Sequence, residues 1–102
     1  MHVFDKILHQ PTRLNVIAHL VRCGGEAAFV DVCNALDIRH PGALSAHNKV
    51  LEDAGYLELK KTFVGRKART MLVLTARGRR AFADHKAAVS AITDIKMEEA
   101  TA

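Results

Sequence analysis

The chain is short of several things, and each shortage narrows its class. It has two cysteines, Cys23 and Cys33. That is too few for a disulfide framework, and a reducing compartment fits them better. No apolar run approaches the ~20 residues that span a bilayer. The start, MHVFDKILHQ, lacks the cationic-then-apolar order of a signal peptide. A cytoplasmic protein with no membrane contact is expected. There are no paired carboxylates, no Gly-rich phosphate loop after a strand and no Ser-His-Asp order, so catalysis finds no support. The last shortage is local. No acidic residue stands between Glu58 and Asp84, although Lys60, Lys61, Arg66, Lys67, Arg69, Arg77, Arg79 and Arg80 all do. These are eight of the 15 Lys and Arg residues, and such one-sided charge suggests an anionic partner.

The length of 102 residues suits one domain, and 49% apolar residues can bury a modest core. The net charge of +4 is compatible with nucleic acid, but the clustering says more than the total. Phe4, Ile7 and Leu8 have helical spacing, which predicts a first helix over about 3–9. Pro11 suits the first turn of a second helix, with Leu14, Ile17, Leu20 and Val21 as its apolar stripe and Gly24-Gly25 as its stop. Phe29 is expected in a very short strand, and Asp31 as the cap of a short helix with Val32, Ala35 and Leu36. After the turn DIRHPG, Pro41 opens the helix GALSAHNKVLEDA, which Gly55 ends.

The period then changes from 3.6 to 2. In YLELKKTFV, Leu57, Leu59 and Phe63 share one face. A glycine tip follows, then a second strand, RTMLVLT. Thr75 can cap a last helix over about 76–97, where Phe82, His85, Val89 and Ile92 make a coiled-coil-like seam. The tail EEATA reads as frayed. Arg77, Arg79 and Arg80 stand at the start of the last helix, where cations oppose its dipole, so a phosphate contact is their expected use. Two short helices, a tight turn and a β-hairpin make a winged helix-turn-helix: an α+β fold, mostly α, with a core over about 11–75.

HQPTRLNVIAHL, LSAHNKVLEDAGYL and FVGRKARTMLVLTARGRRAF, in this order and spacing, resemble the small MarR/ArsR-like winged-helix transcriptional regulators of bacteria and archaea. The resemblance runs from about residue 4 to about residue 83. It implies a homodimeric regulator, more a repressor than an activator, on double-stranded DNA with a pseudo-palindromic operator. It implies a recognition helix carrying Gly42, Ala43, Ser45, Ala46, His47 and Lys49, and a wing carrying Lys61, Gly65, Arg66, Lys67 and Arg69. It implies dimerisation through terminal helices, for which Phe4, Ile7, Phe82, His85, Val89 and Ile92 are the expected contacts. The physics agrees, because an α-helix fits the major groove and a basic hairpin tip suits phosphates or the minor groove. Asn48 departs from the family, which usually has an apolar residue there.

Two other readings stay open. One is a winged helix that binds an acidic protein partner. The other is a metal- or ligand-responsive DNA-binding sensor, invited by the cysteines and by histidines at 2, 9, 19, 40, 47 and 85. No Cys-x-x-Cys or His-x-x-x-His spacing supports a metal site, and no cofactor is expected.

Overall fold

The structure, a computed structural model, describes residues 4–95 and Met97. The tail EEATA and His2 lie outside the described residues. The elements are α1 (Pro11–Arg22), β1 (Glu26–Ala28), α2 (Phe29–Ala35), α3 (Pro41–Asp53), β2 (Leu57–Val64), β3 (Lys67–Leu74) and α4 (Ala76–Thr93). The strands form one antiparallel sheet in the order β1-β3-β2. This is a winged helix, mostly helical, with the β2–β3 hairpin as its wing.

Local chemistry explains where each helix starts and stops. Gln10 Oε1 accepts the Arg13 amide at 2.8 Å, and Pro11 follows in the first turn, where its missing N–H costs nothing. The ends of α1 and α3 share one device. After α3 the Gly55 amide bonds Glu52 O at 2.9 Å and the Tyr56 amide bonds Leu51 O at 3.0 Å. That paired closure needs a left-handed residue, and Gly55 supplies φ +80°. The same closure after α2 uses Asp37 at φ +53°, a rarer choice that an aspartate tolerates.

Leu8, Val16, Ile17, Leu20, Val32, Leu44, Leu51, Leu57 and Leu72 form the core between α1, α2, α3 and the base of the sheet. The wing leaves that core. Only Leu57 of β2 is buried, and β1 pairs only with Met71, Leu72 and Val73 of β3. Beyond that point the hairpin is a bare two-stranded ribbon.

Four expectations need correction. Residues 6–9 form one hydrogen-bonded turn rather than a helix: the Asp5 carboxylate takes the amides of Ile7 (2.8 Å) and Leu8 (3.1 Å) as at a helix start, but Gln10, before Pro11, is extended and ends the turn. The short strand lies before Phe29, which begins α2. Asp31 sits inside the first turn of α2 and does not cap it; its carboxylate reaches Arg69 instead. Helix α4 ends at Thr93, where Asp94 leaves helical backbone at ψ 71°.

Candidate nucleic-acid interface

Helix α3 follows α2 through the tight turn at Asp37. Leu44, Asn48 and Leu51 face inward, which leaves Gly42, Ala43, Ser45, Ala46 and Lys49 exposed. The first turn of α3 holds no acid and no side-chain cap. Small side chains there let the backbone come close to a surface. Lys49 is held by Asp53 one turn on, at 3.4 Å, so its ammonium is partly matched in the free protein. Exposed pairs of this kind are weak and exchange easily for a phosphate. His47 is half-buried, and its ring faces Arg13 of α1.

Asn48 is fully buried, and neither its amide nitrogen nor its oxygen has a hydrogen-bond partner among the described residues. It lies beside a cleft of about 410 Å³ lined by Phe29, Ser45, Asn48, Leu59, Lys61 and Thr70. That cleft puts Ser45 of the helix and Lys61 of the wing on a common opening.

The wing turns at Gly65-Arg66. Val64 pairs with Lys67, so the loop holds two residues. Gly65 has φ +64° and Arg66 stays outside the left-handed region, the pattern of a hairpin turn with glycine first. Among the described residues, Lys61, Arg66 and Lys67 make no ion pair. Arg69 does: its guanidinium meets Asp31 at 3.1 Å and ties the wing to α2. Lys60 meets Glu58 at 3.8 Å. The acid-free stretch is thus matched at Lys60 and Arg69, while Lys61 and the tip cations Arg66 and Lys67 pair with no acid among the described residues.

Arg77 and Arg79 have a use that sequence order hides. Arg77 packs on Gly55, where an added Cβ would lie 3.3 Å from its Cδ. The Arg79 guanidinium reaches Gly25, 3.2 Å from where a Cβ would be. Each lies over the carboxyl end of a neighbouring helix, α3 or α1, where a cation is favoured.

A family profile described as winged helix DNA-binding domain matches residues 12–93. The chain belongs to the winged helix DNA-binding domain family. A transcriptional regulator homologue from Pyrococcus horikoshii OT3 is similar in structure, with 30% identity, a TM-score of 0.70 and coverage of 85% of this chain and 88% of that one. NadR in complex with 4-hydroxyphenylacetate is similar at 26% identity and TM-score 0.69, over 94% of this chain and 68% of that one. YusO from Bacillus subtilis shares the fold at 22% identity and TM-score 0.66, over 89% of this chain and 66% of that one. No curated protein sequence matches. This winged helix protein is a DNA-binding transcription regulator.

The expected dimer seam is divided in this fold. His85 is fully buried, and its Nδ1 accepts the Asp5 amide at 3.2 Å. Phe4 stacks edge-on against it at 5.1 Å and against His9 at 4.6 Å. Ile7 and Phe82 are half-buried against the core. Phe82 and Val89 share a groove with Leu14 and Ala18 of α1. Ile92 remains 58% exposed, and so does Ile95 just beyond the helix. The fold also brings together a pair that no ligand motif announces: Cys23 Sγ and His19 Nε2 lie 3.4 Å apart at the end of α1. No group of three or more possible metal ligands occurs among the described residues. No helix among them is long and apolar enough to cross a membrane.

Proposed function

We propose that the protein is a cytoplasmic, non-enzymatic, homodimeric repressor that binds a pseudo-palindromic operator as a single domain. One observation carries the reading most: the exposed face of α3 and the unmatched Lys61 of the wing open on one side, with Ser45 and Lys61 lining the same cleft. In the complex, α3 enters the major groove and offers Gly42, Ala43, Ser45, Ala46, His47 and Lys49 to it. Lys61, Gly65, Arg66 and Lys67 of the wing meet the backbone or the adjacent minor groove, with Arg69 supporting the wing from its pair with Asp31. The dimer forms where Phe4, Ile92 and the outer edge of α4 meet their symmetry mates, with Ile7, Phe82, His85 and Val89 backing that surface from within. Half-sites then lie about 34 Å apart.

Anisotropy titrations of selected and random duplexes at several salt concentrations, run beside sedimentation velocity, test this reading. Salt-dependent binding by a dimer is expected. A clean monomer at micromolar concentration would remove the dimer and the palindrome. Absence of duplex binding would favour an acidic protein partner.

A further inference from the structure

Phe63 and Val64 are 69% and 62% exposed, near the tip of the wing. Phe63 stands opposite Ala68, whose methyl group cannot shield a ring, and Val64 stands opposite Lys67 across the turn. Successive strand residues point to opposite faces, so the two apolar groups project from both sides of the ribbon. The third strand stops at Met71 and covers neither. A solvated wing would carry polar residues here, because a two-stranded ribbon gains nothing from burying them. Around them stand Lys61, Arg66 and Lys67, which make no ion pair among the described residues. The surface is therefore an apolar point with a cationic rim.

Charge selects the occupant. An anionic partner must lie on both sides of the point, with an apolar interior between its charges. Duplex DNA has that arrangement, in its two phosphate rails and the stacked bases between them. Apolar side chains that enter the minor groove part a base step and kink the duplex. Resting on the DNA-binding reading above, we propose that Phe63 is a wedge that enters the minor groove beside the recognition-helix site and partly unstacks one base step. The cations at the rim hold the phosphates on either side. The step that yields most cheaply is pyrimidine–purine, TA or CA/TG. The operator should carry such a step beneath each wing, at a position that no polar side chain reads.

The test uses duplexes selected by the full chain from a random-sequence library. These carry dyes at both ends and 2-aminopurine at the step beneath the wing. Wild-type protein should shorten the end-to-end distance, brighten the 2-aminopurine and prefer a pyrimidine–purine step about tenfold over a purine–purine step. Phe63→Ala, at an exposed position, should keep the folded circular dichroism spectrum and bind with less than a tenfold loss. It should lose the bend, the brightening and the step preference together, and Phe63→Leu should restore most of them. A Phe63→Ala protein that bends and brightens the duplex like wild type would overturn the wedge. So would a variant whose only change is weaker self-association, since Phe63 would then meet a second copy. If wild type selects no duplex at all, the DNA-binding reading itself fails, a result distinct from both.

Discussion

Arg13 of α1 places a terminal guanidinium nitrogen 3.4 Å from Nδ1 of His47 on α3. An arginine can only donate, so Nδ1 accepts and the neutral ring keeps its proton on Nε2. Burial, and then the Arg13 charge, hold the His47 pKa below its ordinary value. Arg13 is itself fixed, because its Nε donates to Ile7 O at 2.8 Å. The orientation of α3 is thereby tied to the N-terminal turn.

The sign of the pH effect follows. The unfolded chain holds a proton on His47 more readily than the folded one, so stability gained here is full above about pH 6.5. It falls as pH drops below that value and levels off below the folded pKa. Urea titrations between pH 5 and 8 should show a smaller acid loss for His47→Gln than for wild type. Parallel curves would remove this role.

Neutralising Arg66 and Lys67 together should weaken binding to every duplex and lower the salt slope by about 0.9 for each phosphate no longer neutralised. Ser45→Ala should act differently, costing ~1–3 kcal/mol on the preferred sequence and little on random DNA. Parallel titrations on both duplexes separate the two effects. An unchanged slope in the tip variant would mean that the wing does not touch phosphate.

Asn48→Leu should stabilise the fold. Its two buried polar groups have no partner among the described residues, which costs ~1–3 kcal/mol each, and leucine is of broadly similar size. A gain of about 1–3 kcal/mol in urea unfolding is expected. A loss instead would show that the amide holds a bridging water in the cleft next to Ser45.

Gly78→Ala should be severely destabilising, by about 3 kcal/mol or more, because an added Cβ would overlap the Tyr56 carbonyl oxygen. Thr75→Ala should cost about 1 kcal/mol, since its hydroxyl caps the Gly78 amide at 2.9 Å and donates to Gly55 O at 2.6 Å. Thermal melts of both variants give the comparison. Equal small shifts would mean that α4 can move off the α3–β2 junction without penalty.

Tyr56 supplies an alkaline test. Its phenol donates to Asp5 Oδ2 at 2.5 Å, and burial, with that bond, pushes its pKa up to about 12. Its contribution is full below about pH 10 and is lost as pH rises towards the folded value. Tyr56→Phe should therefore be less stable than wild type at neutral pH, with the gap closing above pH 10. A constant gap across that range would exclude the linkage.

Much of this architecture is legible in the sequence because short-range rules govern it. Pro11, Pro41, Gly24, Gly55 and Gly65 punctuate the chain where elements begin and end, and the change of period at Tyr56 marks the hairpin. What the sequence hides depends on partners far along the chain. The spacing of Phe4, Ile7 and Leu8 is helical and Asp5 caps it, yet Gln10, extended before Pro11, cuts it to a single turn. The seam of His85 and Val89 resembles a coiled coil, but α1 and the N-terminal turn occupy part of it first. Arg69 stands in an acid-free stretch, and its partner Asp31 lies 38 residues earlier. The strand β1 is three residues long and carries no alternation of its own; it is a strand because β3 offers it an edge.

The junction at Thr75 and Gly78 also makes α4 a lever. Its cap is bolted to Gly55, which closes α3, and Tyr56 passes the same joint on to Asp5. Arg77 lies across it from above. With so little slack at the fulcrum, a tilt of α4 carries the end of α3 and the root of the wing with it. In the proposed dimer, the distance between the two copies of α3 would be geared to the angle between two such levers, and a small change in that angle would be enlarged at the tips.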